Sequence, residues 1–300
     1  MRTGVPEGIR FETKPAIALG EIRWAIEEGI PLAPVVAEAG YGNEAWFREA
    51  LTALDLPYVL GVNRATTVWR PGEGPLPPKP WSGRGQPPKR LRRDRNHQPV
   101  SVLSLAQGLP EKAWKNVAWR EGVKRRLRSR FAALRVRPAH RDEKRTEPRP
   151  EEWLLIEWPK GEAEAVKYWL ATLPAETKLR DLVRLAKHRW IIERDYEELK
   201  QELGLGHFEG RGWRGFHHHA TLCIAAYGFL VAERSRFSPP PAPVDWNYPS
   251  PKPCRISGRG VLPVRTARHH PWAIATLHMT VAQVLLRRLK GCPYCRTPLL

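Results

Sequence analysis

Arg189, Glu193, Tyr196 (or its neighbour Glu197) and Lys200 follow one another at three- and four-residue intervals. On a helix that spacing puts their side chains on one face. One acid between two bases, beside an aromatic ring, suits a carboxylate held next to nucleic acid. The plainer reading is a solvated helix face, whose ion pairs are worth only ~0.2–0.5 kcal/mol each. A second acid, Glu38, closes the apolar run 31–37 and is followed by Ala39 and Gly40, small residues that leave its front open. In parallel α/β sheets, functional side chains collect at the carboxyl ends of strands. A strand-terminal acid is also an ordinary turn former, so Glu38 alone decides nothing.

The elements that must carry these residues can be read from periodicity. Leu179, Leu182, Leu185, Ile192, Leu199 and Leu203 recur at helical spacing with no proline between them, which predicts one amphipathic helix over 178–203. Gly204 and Gly206 are its stop signal. Residues 32–37 and 56–62 read as buried strands. Between them, Asn43 caps a helix to 54 with Trp46, Phe47, Ala50, Leu51 and Leu54 facing inward. Strand, helix, strand of this length is a parallel crossover unit. Ahead of it, Pro15 opens a helix with Ile17, Ile22, Trp24 and Ile26 on its apolar face. The expected fold class is therefore α/β.

The texture changes over 63–177, which reads as a basic, mainly β insertion. A proline-rich loop, 71–88, precedes the basic run 89–95 with Lys89, Arg90, Arg92 and Arg93. A second run, 124–130, holds Lys124, Arg125 and Arg126, and strand-like pieces cover 127–137, 153–158 and 166–170. With Trp69, Trp81, Trp114 and Trp119 nearby, these runs have the composition to track a phosphate backbone. The expected organisation is a first core part over 1–62, the insertion over 63–177, and a second core part over 178–237. A proline-rich linker over 238–270 and a C-terminal helix with its tail over 271–300 complete it. Residues 216–237 read as a helix packing Leu222, Ile224, Tyr227, Leu230 and Val231.

Composition sets the sign of the partner. Fifty Lys and Arg against thirty-one Asp and Glu leave a formal charge of +19, which implies a polyanion, nucleic acid before a membrane surface. No signal peptide is visible, and the longest apolar run, 220–231, is too short to span a bilayer. Four cysteines without secretory context predict a reducing cytoplasm and no disulfide framework. Cys292 and Cys295 form one C-x-x-C whose only spare co-ligands are Cys254, His269, His270 and His278, and no metal is expected there. The His217–His219 triplet points different ways on a helix and is likewise not read as a metal site.

The register Ala186-x-x-Arg189-x-x-x-Glu193, then six residues and Lys200, resembles the Y-R-E-K signature of insertion-sequence transposases of the Asp-Asp-Glu superfamily, with Ala186 in place of tyrosine. The run from Gly204 to Leu222, GLGHFEGRGWRGFHHHATL, is similar to the same branch. The stretch VVAEAGYGNEAWFREALTALDLPYVLGV resembles the block carrying the second catalytic aspartate, usually D-A-G-Y-G, here with Glu38. The resemblance implies an RNase H-like fold with an insertion before the catalytic glutamate, and strand cleavage and transfer on double-stranded DNA at transposon ends. It implies magnesium, or manganese, held by Glu38 and Glu193, which should come within metal-bridging reach. Arg189, Lys200 and Tyr196 would contact DNA. A homodimer in the DNA complex and a bacterial cytoplasm, at the nucleoid, are further implications. No residue before Pro15 matches the family's first aspartate, so the chain is expected to be an N-terminally truncated copy lacking the leading three strands. The alternative is a non-catalytic DNA-binding remnant.

Overall fold

The computed structural model describes residues 3–121, 126–237 and 274–288. Lys124, Arg125, the segment 238–270 and Cys292 and Cys295 lie outside the described residues. The chain divides into two compact units, Phe11–Arg189 and a second made of Met1–Arg10 with Trp190–Leu300.

In the first unit, helix α1 (Lys14–Glu27) starts where the Thr13 hydroxyl accepts from the Ala16 amide, and Pro15 sits in its first turn, where no N–H is needed. Its buried residues are Pro15 and Leu19; Ile17 and Trp24, expected on the apolar face, are exposed. Strand β1 (Val35–Ala37) follows, shorter than the expected 32–37. Pro34 has no amide to give to a ladder, so pairing begins at Val35, whose N–H reaches the Pro57 carbonyl at 2.8 Å. A single helical turn, α2 (Ala39–Gly42), leads to α3 (Ala45–Ala53). The residue at the N-cap of α3 is Glu44 rather than Asn43. The Asn43 side chain instead accepts from the Asn63 amide at 2.8 Å, a contact from beyond the next strand that outcompetes the local cap. Trp46, expected inward, is 42% exposed, with its indole N–H on Glu44.

Strand β2 (Tyr58–Val62) pairs parallel with β1, as the crossover reading requires. Then come β3 (Thr67–Trp69), β4 (Val100–Ser101), helix α4 (Val102–Gln107), β5 (Lys115–Glu121), β6 (Arg126–Pro138), β7 (Glu152–Trp158) and β8 (Lys167–Ala171). The fold is α/β with a mixed sheet in the order β1-β2-β8-β7-β6-β3-β4, and β5 pairs with β6. The expected strands over 127–137, 153–158 and 166–170 thus appear as β6, β7 and β8. They continue the sheet begun by β1 and β2, with β8 antiparallel to β2.

Alternation along the strands builds a core on each face. Tyr58, Leu60, Leu154, Ile156 and Leu170 pack with Phe47 and Leu51 of α3 and Leu19 of α1. Val59, Leu155, Phe131 and Trp169 pack on the other face against Leu182, Val183 and Ala186 of helix α5 (Leu179–His188). The buried alanine at 186 is where a larger side chain would meet the sheet.

The expected single helix 178–203 is two: α5 ends at His188, Arg189 is a turn residue, and α6 (Trp190–Gln201) begins the second unit. Gly204, with φ +73°, ends this region in the left-handed conformation that glycine adopts without strain. Helix α7 (Trp213–Phe237) buries Cys223 and Leu230, whereas Leu222 and Ile224, expected to pack, are 57% and 58% exposed. Helix α8 (Ile274–Arg288) buries Ile274. No helix among the described residues is long and apolar enough to cross a membrane.

Candidate active site

Glu38 leaves β1 in extended conformation (φ −80°, ψ 175°) and forms the N-cap of α2. Its carbonyl accepts from the amides of Tyr41 and Gly42 at 3.0 and 3.1 Å. The turn lies directly against β2, an approach that only glycine permits. A Cβ on Gly42 would stand 2.0 Å from the Gly61 carbonyl oxygen, and one on Gly61 would stand 2.9 Å from the Ala39 nitrogen. From beneath, the buried Arg48 of α3 donates to the Gly42 carbonyl. Glu38 is thereby presented at the carboxyl end of a parallel strand pair, its side chain 57% exposed.

Arg48 has a buried acid beside it. Burial pushes the Glu152 carboxyl up, while Arg48 and the Tyr58 hydroxyl act to lower it. The Tyr58 hydroxyl is in turn pushed well above its ordinary range, first by burial and then by Glu152. A buried charge is tolerable only when paired or neutralised. This cluster holds a guanidinium under the Glu38 turn on those terms. Sequence reasoning missed it because Arg48 and Glu152 are distant in the chain and charged residues read as surface.

On the other side of Glu38 stands Arg189, with Nη1 3.8 Å from Oε2 of Glu38. Arg189 is fixed by α5, which is pinned near its end. The Lys187 ammonium meets Glu157 at 2.5 Å and lies 4.5, 5.5 and 5.7 Å from the ring centroids of Trp119, Trp169 and Phe131. Burial pushes the Lys187 amine down and Glu157 opposes that shift. An ammonium on aromatic faces gains cation–π attraction when desolvated. The mixed lysine and tryptophan composition was visible in the sequence; the cage was not.

Glu193, Tyr196 and Lys200 lie exposed on α6, and Lys200 Nζ sits 5.5 Å from the Tyr196 ring. They belong to the second unit, whereas Glu38 and Arg189 belong to the first. The structure brings Glu38 to Arg189, and Tyr196 to Lys200. On α6, Arg194 reaches Asp195 and Glu198, and Glu198 accepts from the Tyr227 hydroxyl of α7 at 2.9 Å.

The basic run 89–95 is divided. Lys89 and Arg90 are exposed. Arg92 donates to the Pro77 carbonyl at 3.1 Å. Arg93 turns inward to the buried Asp142, which also accepts from the Trp69 indole. In the second run, the backbone of Arg126 stands opposite that of Glu121 in the β5–β6 ladder.

Two divalent ions on a DNA backbone need several carboxylate oxygens converging at once. Among the described residues no three His, Cys, Asp or Glu side chains gather closely enough to hold a metal ion. Glu38 instead has a guanidinium as its neighbour.

Residues 1–126 match the family model described as DDE superfamily endonuclease. No curated protein matches the chain.

Proposed function

Because residues 1–126 match the model of the DDE superfamily endonucleases, we propose that this chain is a transposase-type protein that engages double-stranded DNA at transposon ends. Glu38 and Glu193 are its acidic residues, and Arg189, Lys200 and Tyr196 are its contacts near the scissile phosphate. The family has a nuclease-type function, implies DNA as the substrate and typically uses divalent metal ions. The observation that carries the proposal is the placement of Glu38. It is exposed at the carboxyl end of a parallel strand pair, on a turn that two glycines and Arg48 press against β2, with Arg189 at 3.8 Å.

An acid beside a cation at a strand end can hold a backbone phosphate next to a carboxylate. Lys89, Arg90, Lys124, Arg125 and Arg126, within a chain of formal charge +19, add attraction that needs no sequence recognition. A second copy of the chain in the DNA complex is part of the proposal.

The carboxylates available fall short of what two magnesium ions require, and glutamate at 38 adds a methylene to the aspartate its family uses. On its own, therefore, the chain binds DNA and does not cut it. The test is strand cleavage of transposon-end DNA with magnesium and then manganese, alongside a gel-shift measurement. Retained binding with cleavage at background is expected. Cleavage that disappears in Glu193→Gln or Glu38→Gln would overturn the claim and make the chain an active nuclease.

A further inference from the structure

The run after α6 that the acid and base residues leave unused, from Phe208 to Phe216, builds a pocket within the second unit. Its cavity is about 310 Å³, lined by Phe208, Trp213 and Phe216, by Thr3 and Val5, and by the Gly210–Gly212 backbone with Arg211 at its edge. That volume is at the small end of the ~300–1,000 Å³ range of ligand sites. The wall is nearly all carbon, and its rings are held in place. A Cβ on Gly210 would come 2.5 Å from the Phe208 ring, and one on Gly215 would come 3.2 Å from it, so two glycines let that ring lie against the backbone. Phe208 then meets Phe216 edge-on at 6.0 Å and stacks on His219 at 5.5 Å. Trp213 rests on His217 at 4.2 Å, and its amide donates to the Thr3 carbonyl at 2.8 Å, drawing the segment with Val5 in as the far wall.

The rim has the opposite character. Arg211 is exposed and has no ion-pair partner among the described residues. An apolar, aromatic cavity with a guanidinium at its edge matches a ligand that is flat and apolar at one end and anionic beside it. A nucleotide within a DNA strand has that form: the base stacks on the rings and the flanking phosphate pairs with arginine. A base inside a duplex cannot present its face this way, so the ligand must be unpaired.

We propose that the pocket of Phe208, Trp213 and Phe216, with Arg211 at its edge, holds one unpaired nucleobase of a DNA strand. The proposal rests on the DNA-binding part of the function above and is independent of whether the chain cleaves. The glycines at 210 and 215 leave room for the Phe208 ring, and the rings give affinity without reading base identity.

The experiment uses the full chain and two oligonucleotide duplexes, one fully paired and one carrying a single 2-aminopurine bulge. The bulged duplex should bind more tightly, with the 2-aminopurine emission quenched on stacking. Trp213→Ala should lower the ratio of bulged to paired affinity by roughly 5- to 150-fold, the contribution of one stacked base, and should relieve the quenching. Trp213→Phe, which keeps a ring, should restore most of both. Should Trp213→Ala fail to fold, Phe216→Ala, at an exposed position, makes the same comparison. Equal affinity for the two duplexes, or a ratio unmoved by these substitutions, overturns the pocket. A bulge preference that falls in Trp213→Ala, in a chain that also cleaves, would overturn only the non-cleaving claim above, so the two failures are separable.

Discussion

Arg48 is the residue on which the geometry around Glu38 depends most. It is the only charged side chain among the fully buried residues of α3, and its guanidinium ties the Gly42 carbonyl to the interior. The buried Glu152 carboxyl lies beside it, and the chemistry of that acid has a measurable consequence. Burial raises the Glu152 carboxyl, against the lowering effects of Arg48, Tyr58, Arg149 and Arg135. A carboxyl raised on folding keeps a proton that the unfolded chain releases. Its contribution to stability is therefore fully present below the unfolded pKa of about 4.3, and falls as the pH rises from there toward the folded value. Glu152→Gln cannot titrate and should remove that fall. In urea unfolding at fixed ionic strength, the stability of the natural chain relative to the variant should decline steadily from pH 4 upward. A difference that does not change with pH would show that the carboxyl is not perturbed.

Among the elements, α2 shows how tightly backbone shape governs the candidate site. It is four residues long and makes its closest contact with β2 through Gly42 and Gly61. Gly42→Ala drives a methyl into the Gly61 carbonyl, so the turn or the strand must move. Overpacking of this kind destabilises by ~1–3 kcal/mol, and Glu38 should lose its place beside Arg189. The expected result is a lower denaturation midpoint together with weaker DNA binding; a variant of unchanged midpoint would mean the contact is slack. The parallel unit was legible because apolar runs flank a helix pattern, and β6, β7 and β8 because their residues alternate. Three features were not legible. Asn43 has the right chemistry for a cap, but a long-range bond to the Asn63 amide prevails. The break at Arg189 has no glycine or proline to announce it. Arg93 sits in a run that reads as a solvated basic patch, yet it is held by Asp142, a partner supplied by a distant turn. For Asn43 and Arg93 the deciding contact joins residues far apart in the chain, which periodicity does not register.

For the molecule as a whole, the excess of fifty basic over thirty-one acidic residues predicts DNA binding that weakens steeply with salt, as phosphates exchange protein cations for released counterions. Two exposed members of the first basic run, Lys89 and Arg90, give a clean test. Lys89→Gln with Arg90→Gln should lower the slope of log affinity against log salt by roughly 2, about 0.9 for each lost phosphate contact. A slope that stays the same would place both side chains in solvent only. Arg93→Gln would act differently, because it leaves the buried Asp142 without its cation and should lower stability first. The free margins of the sheet bear on how such a protein survives at the concentrations these measurements need. An unpaired strand margin is a template for joining another chain. Here β1 offers three residues behind a proline and β4 offers two. The seven-residue β5 is kinked by a bulge between Ala118 and Arg120, so none presents the long flat ladder from which fibrous aggregates grow.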